Sequence, residues 1–332
     1  MSATAALGHD IAARLAAPLY GISPAAEFSL LSLSENATYA VMNPGHEADV
    51  VMRVHPANCH HSMKAIESEL DWLDALSRDA DVATPSPIVS GDGRRVVTVE
   101  VGGHERHAVL FDRIPGAQPE ETDVNPRNFE ILGELSARMH NHAREWRRPE
   151  GFLRIRWDWE SSLGEQARWG RWQDGIAVGP EEEDILGKAA AVVHDRLGEF
   201  GQLPDRFGLI HADLRLANLL QEGDDLTVID FDDCGFGWFM YDFATTVSFL
   251  EEDPRVPEWQ QRWIDGYLRA GKLRADEIEM LATFIMFRRL LLLAWLGSHA
   301  HTDEANSRGA AWTADSCELA ERYLRHGGSS VE

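Results

Sequence analysis

The stretch HADLRLANLL, residues 211–220, sets His211, Asp213 and Asn218 among leucines and alanines, and VIDFDD follows with Asp230, Asp232 and Asp233. A loop carboxylate can orient a hydroxyl group and accept its proton. Additional hard oxygen donors can hold a divalent cation against phosphate groups. Phosphoryl transfer makes these two demands and asks little covalent chemistry of the protein. The run LTVID, residues 226–230, reads as a short strand that delivers Asp230 at its end. The plainer alternative is a turn whose Asp and Asn side chains merely cap backbone groups. The His-x-Asp-x-x-x-x-Asn spacing alone should arise by chance in roughly one to two chains per hundred of this size. An apolar strand ending in Asp at the right distance weighs against that alternative.

The elements that must position these residues fall into two groups. The first third of the chain carries strand-like runs, FSLLSLS, ATYAVM, ADVVMRVH, RRVVTVEV and HAVLFDRI, separated by Gly, Asn and Asp turns as in an antiparallel sheet. Between the third and fourth runs, Ile66, Leu70, Leu73 and Leu76 recur at helical spacing, with Ser62 placed to cap the helix. From about Val124 onward helical periods dominate, and DRIPGAQP forms the seam. The expected fold class is α+β. Residues 1–114 form a small, antiparallel β-rich lobe with one helix, residues 115–332 a larger, mostly helical lobe, and a cleft lies between them.

At 332 residues, 44% hydrophobic and 26% charged, the chain can bury a substantial core. No membrane span is expected, since the longest apolar candidate, MFRRLLLLAWLG, is broken by Arg288 and Arg289. The N-terminus lacks the basic and apolar regions of a secretion signal. Cys59, Cys234 and Cys317 show no pair spacing, which favours a reducing cytoplasm. A net charge of −24 argues against nucleic-acid partners. It permits attraction of cationic small molecules if concentrated at a cleft, or it is an evenly solubilising surface.

Protein kinases fill the pattern His-x-Asp-x-x-x-x-Asn, followed by a metal-binding Asp, with a catalytic base and two metal ligands. LIHADLRLANLL with VIDFDDCGFGWFMYDFA resembles the aminoglycoside phosphotransferase and choline kinase superfamily, whose fold is protein-kinase-like. SENATYAV, DVVMRVH, SELDWLDAL and VLFDRIPG fall in that family's order, so the resemblance spans roughly residues 28 to 300. It implies ATP and Mg²⁺ as cofactors and a small hydroxylated acceptor as partner. It assigns Asp213 as catalytic base and Asn218 and Asp230 as metal ligands. Arg53 takes the phosphate-contacting strand position and Glu69 is its ion-pair partner. ENATY, with Asn36, occupies the phosphate-covering loop, and Leu110, Phe111 and Asp112 form the hinge whose backbone meets adenine.

The chain departs from the family's pattern at several points. Arg53 replaces a lysine, as in choline kinases, and the phosphate loop lacks a run of glycines, so Asn36 and backbone amides must do that work. Arg215 stands where protein kinases have lysine and aminoglycoside kinases usually have histidine; it contacts the transferring phosphate or pairs with a surface acid. Asp232 is a candidate substrate carboxylate, Asp233 a candidate of the same kind or a turn cap, and Asp242 a stabiliser of the catalytic loop. Trp238, with Phe239, could wall an acceptor pocket for an ammonium group. HNH at 140–142 puts two histidines on different sides of a helix, so a shared metal site is not expected. The pair at 60–61 and the trailing HAH are expected at the surface. Asp232, the EED at 251–253 and the overall charge favour a cationic acceptor over an anionic one; a neutral or zwitterionic one is the alternative. Homoserine-kinase-like and stress-response-kinase-like branches look close, so a protein Ser/Thr kinase stays open, as does a pseudokinase without turnover.

Overall fold

The computed structural model describes residues 3–42, 44, 49–57, 62–120, 124–223, 225–300 and 303–327. Cys59, His60, His61 and His301, named above, lie outside them. The chain divides into two compact units, one of residues 1–79, 83–116 and 148–153, the other of residues 80–82, 117–147 and 154–332. The main boundary, after Gly116, falls inside the DRIPGAQP seam and two residues past the expected lobe limit at 114, and two short segments cross over in sequence.

The first unit holds α1 (Ala3–Ala16), β1 (Glu27–Leu33), β2 (Ala37–Met42), β3 (Val50–Val54), α2 (Met63–Asp79), β4 (Pro87–Ile88), β5 (Val96–Val101) and β6 (His104–Asp112). Its sheet is antiparallel, ordered β1-β2-β3-β6-β4, with β5 also paired to β6. Alternation along the strands turns Tyr39, Val41, Val50, Met52 and Val54 inward, where they meet Ala12, Ala13 and Ala16 of α1. The α2 helix buries Ile66, Leu70, Trp72, Leu73 and Leu76 on one face. Ser62 caps it, its Oγ accepting the Ala65 N–H at 3.3 Å. The two-residue β4 has no counterpart among the sequence-predicted runs; it is too short to show a period.

The second unit begins with α3 (Pro126–Glu145), β7 (Ile155–Arg156), α4 (Trp159–Ser162), α5 (Pro180–Phe200) and β8 (Phe207–Ile210). It continues with β9 (Leu219–Glu222), β10 (Asp225–Val228), β11 (Gly235–Trp238), α6 (Tyr241–Thr246), α7 (Val256–Ala270), α8 (Ala275–Glu279), α9 (Leu281–Ser298) and α10 (Asp303–Arg325). The α3 and α7 helices cross so closely that a Cβ on Gly266 would run into Glu130 O, and one on Gly133 into Trp263 O. Phe129 and Trp259 stack across the same crossing at 4.9 Å. By length and composition alone the stretch Ala275–Ser298 could cross a membrane, but 83% of its apolar window is buried inside the unit. There α9 is a core helix, and both of its arginines are buried with polar partners.

Candidate active site

The loop after β8 carries Asp213, the expected catalytic base. Ala212 adopts a left-handed backbone, φ +68°, which a residue with a side chain holds only when its surroundings enforce it. Asp242, at the start of α6 and fully buried, supplies that enforcement. Its carboxylate accepts the His211 N–H at 3.1 Å and the Ala212 N–H at 2.7 Å. His140 of α3 reaches the same carboxylate through Nε2 at 3.0 Å, and its Nδ1 lies 3.1 Å from Tyr267 OH. Thr245 Oγ1 accepts the Leu214 N–H at 2.9 Å and donates to Asp242 O. The first histidine of HNH is thus a buried brace for the loop, while His142 stacks on Trp146, so the pair shares no site.

His211 holds the loop from within. Its Nδ1 accepts the Asp213 N–H at 3.2 Å, so Nε2 carries the proton that goes to Ile229 O, also at 3.2 Å. Burial pushes the His211 pKa below its ordinary value despite nearby Asp242 and Asp213, and keeps the ring neutral in this role.

Asp213 is held at both oxygens. Arg288 Nη2 donates to Oδ1 at 2.5 Å, and Asn218 Nδ2 donates to Oδ2 at 2.6 Å. Arg215 Nε lies 3.3 Å from Oδ2, so this arginine pairs with the candidate base itself. Burial alone would raise the Asp213 pKa. Arg215 and Arg288 outweigh it, with help from His211 and the Asn218 hydrogen bond, and hold the carboxyl below its usual range.

Asn218 ends a tight turn after Arg215, and its carbonyl accepts the Ile229 N–H at 2.9 Å. That bond sets Asn218 beside the residue that precedes Asp230. Asp230 is exposed just past β10, in a left-handed conformation with φ +62°. Because the Asn218 amide nitrogen is turned to Asp213, its amide oxygen is the end suited to a metal. An amide oxygen and a carboxylate are the donors that Mg²⁺ or Ca²⁺ prefers. Among the described residues no cluster of three or more His, Cys, Asp or Glu side chains could hold a metal. Phosphate oxygens and waters would therefore have to complete the shell, as Mg²⁺ commonly allows.

Other expected site residues lie differently. Trp238 is a core residue rather than a pocket wall: it is 2% exposed, and its ring packs against Phe207, Phe284 and Phe287. Its Nε1 donates to Gly201 O at 2.7 Å. Position 238 ends strand β11 with its side chain inward, so nearness in sequence to Asp230 does not bring it to the surface. Asp232 is buried at 7% exposure, with its carbonyl accepting from Arg154. The EED segment is spent on internal pairing: Glu251 with Arg289 at 2.7 Å, Glu252 with Arg322 at 2.7 Å and Asp253 with Arg255 at 2.8 Å. Each of those acids thus already has an arginine partner, which the sequence did not suggest.

In the first unit, Arg53 on β3 donates from Nη2 to Glu69 Oε1 at 2.8 Å and Oε2 at 2.7 Å, and both residues are buried. The guanidinium also lies over the Phe111 ring, 5.4 Å from its centroid. Asn36 closes the β1–β2 hairpin, its carbonyl accepting the Ser34 N–H. Leu110 and Phe111 are paired with β3 on one side and β4 on the other, and the Asp112 N–H donates to Ser86 O at 3.1 Å. Sheet pairing thus already engages the backbone of the expected hinge.

Comparison with known proteins gives the family and the fold. Residues 29–278 match the phosphotransferase enzyme family. The solved structure of a microcompartment-associated aminopropanol kinase is 49% identical, covers 96% of this chain and 98% of its own, and superposes with a TM-score of 0.89. Amicoumacin kinase of Bacillus subtilis (strain 168) is 25% identical over 85% of this chain and 82% of its own length. Plasmodium vivax ethanolamine kinase shares the fold at 14% identity, with a TM-score of 0.63 over 95% of this chain and 89% of its own. The chain belongs to the phosphotransferase enzyme family and is a kinase with an alcohol group as acceptor.

Arg288, which bonds Asp213, was not singled out in sequence as a candidate. It sits 75 positions from Asp213 in a run of leucines, where the only signal was a charge inside an otherwise apolar helix.

Proposed function

We propose that this protein transfers the γ-phosphoryl group of ATP to the hydroxyl of a small amino alcohol, with Mg²⁺ as the metal, in the cytoplasm. The observation that carries the reaction is the Asp213 carboxylate, fixed from both sides on the loop that also bears Asn218. A carboxylate so held orients the acceptor hydroxyl and takes its proton as the bond to phosphorus forms. Asn218 and Asp230 would hold the metal, which when bound neutralises charge on the phosphate oxygens. Arg53, steadied by Glu69, is proposed to contact phosphate, as are the Asn36 turn and Arg215. Adenine would meet backbone at the end of β6, past the groups that the sheet engages.

The choice of acceptor rests on the likeness to the aminopropanol kinase, which is high and nearly end to end. Two arginines offset the charge of Asp213, so an ammonium group would be met by Asp233, which is near enough to Tyr241 and Arg288 to act on both. No observation favours a protein substrate or a chain without turnover. The test is ATP consumption against a panel of amino alcohols, choline, homoserine and aminoglycosides, with Asp213→Asn as control. The short amino alcohols should be the best acceptors; equal rates with and without every acceptor would reject the reading.

A further inference from the structure

Arg288 is 3% exposed in the interior of the second unit, yet it carries a full charge. Its guanidinium is used at three points: Nη2 on Asp213 Oδ1 at 2.5 Å, Nη1 on Tyr241 OH at 3.2 Å and Nε on Ser248 Oγ at 3.0 Å. A buried arginine is tolerated only where a partner charge and hydrogen bonds compensate its lost hydration. Here the partner charge is the carboxylate read above as the catalytic base.

We propose that Arg288 is a positioning residue for phosphoryl transfer, acting through Asp213; this rests on the reading of Asp213 as base. A carboxylate can rotate about its Cβ–Cγ bond unless both oxygens are held. Asn218 holds Oδ2 from the loop, and Arg288 holds Oδ1 from α9. Tyr241 and Ser248 in turn fix the planar guanidinium, so the carboxylate plane is referred to three elements rather than to its own loop. A base must meet its hydroxyl within hydrogen-bond reach, and a small misplacement of reacting groups is costly in rate. The arrangement also needs a fork-shaped donor: one face bonds Asp213 while the other nitrogens stay anchored, which lysine cannot reproduce in full.

The experiment is steady-state kinetics of the full chain with ATP, Mg²⁺ and an aminopropanol as acceptor. Arg288→Met should lower kcat on the order of 10- to 100-fold, the range for loss of a charge-assisted hydrogen bond, with KM for ATP within about twofold. Arg288→Lys should recover part of kcat, because an ammonium can still reach Oδ1. Ser248→Ala loosens the anchor without removing the charge; a few-fold loss in kcat, again at unchanged KM, is expected even if Arg288→Met fails to fold. In an Asp213→Asn background, Arg288→Met should cost nothing further. The same fold-loss in both backgrounds, unchanged kcat in all three variants, or a rise in acceptor KM alone would overturn the proposal. A crystal structure of Arg288→Met, which leaves no donor at this position, supplies a readout independent of the acceptor. A displaced Asp213 carboxylate supports the proposal, and a carboxylate that keeps its place although nothing on α9 bonds it refutes it. If wild type fails to phosphorylate any acceptor, or Asp213→Asn is as active as wild type, the reading of the reaction falls instead.

Discussion

Removal of Glu69 tests whether Arg53 is held in place or merely happens to touch a neighbour. The pair is almost dry, with side-chain exposures of 7% for Arg53 and 1% for Glu69, so solvent screening gives little relief. Arg53 Nη2 lies within 2.8 Å of both carboxylate oxygens, and Glu69→Ala would remove both of these bonds. Stranding a buried charge in this way typically costs about 3–5 kcal/mol. Replacing both members together, Arg53→Met with Glu69→Leu, should recover most of that stability while abolishing turnover, because the charge offered to phosphate is gone. Urea denaturation of wild type, both single variants and the double variant closes the cycle. A coupling of about 2 kcal/mol or more is expected, together with a raised KM for ATP in Glu69→Ala. Coupling below roughly 0.5 kcal/mol, or an unchanged KM for ATP, would show that Glu69 does not hold Arg53 for this role.

Other expectations follow from the same geometry. His9 on α1 is 1% exposed, and burial, with Arg106 beside it, lowers its pKa to about 4. The unfolded chain therefore binds a proton near pH 6.5 that the folded chain refuses until about pH 4. Stability should be complete above that window and fall through it as pH drops, by up to about 3 kcal/mol. Denaturation at several pH values should show a smaller loss in His9→Leu than in wild type, because His211, also lowered by burial, still contributes in both; identical profiles would contradict it. Asp230→Ala should bind ATP no better with excess Mg²⁺ than without, by isothermal titration, and wild-type-like binding in Mg²⁺ would remove Asp230 from the metal site.

The antiparallel strands were legible in sequence as Val-rich runs between turn residues, and the α2 helix because it buries one face and burial writes its period into the chain. The candidate catalytic loop was legible for a different reason: Asp213, Asn218 and Asp230 lie close in sequence on a short loop and strand. Pairings that bridge distant elements left no such trace. Arg288 meets Asp213 only because α9 runs through the core, and His140 meets Asp242 across 102 positions. Trp238 misled because an aromatic residue near a site reads the same whether its strand turns it out or in. The EED acids misled because composition counts charges without their partners: Arg289, Arg322 and Arg255 consume all three.

The central claim, that Asp213 directs a phosphoryl group onto the hydroxyl of an amino alcohol, is tested most directly by following the product. Wild type and Asp213→Asn are incubated with ATP, Mg²⁺ and an aminopropanol, and the acceptor is followed by mass spectrometry and phosphorus NMR. Wild type should give a phosphate monoester at the hydroxyl oxygen with the amine unmodified, and Asp213→Asn should form it slower by roughly 100-fold or more. No phosphorylated amino alcohol from wild type, phosphate on the amine, or equal rates for the two proteins would contradict the account.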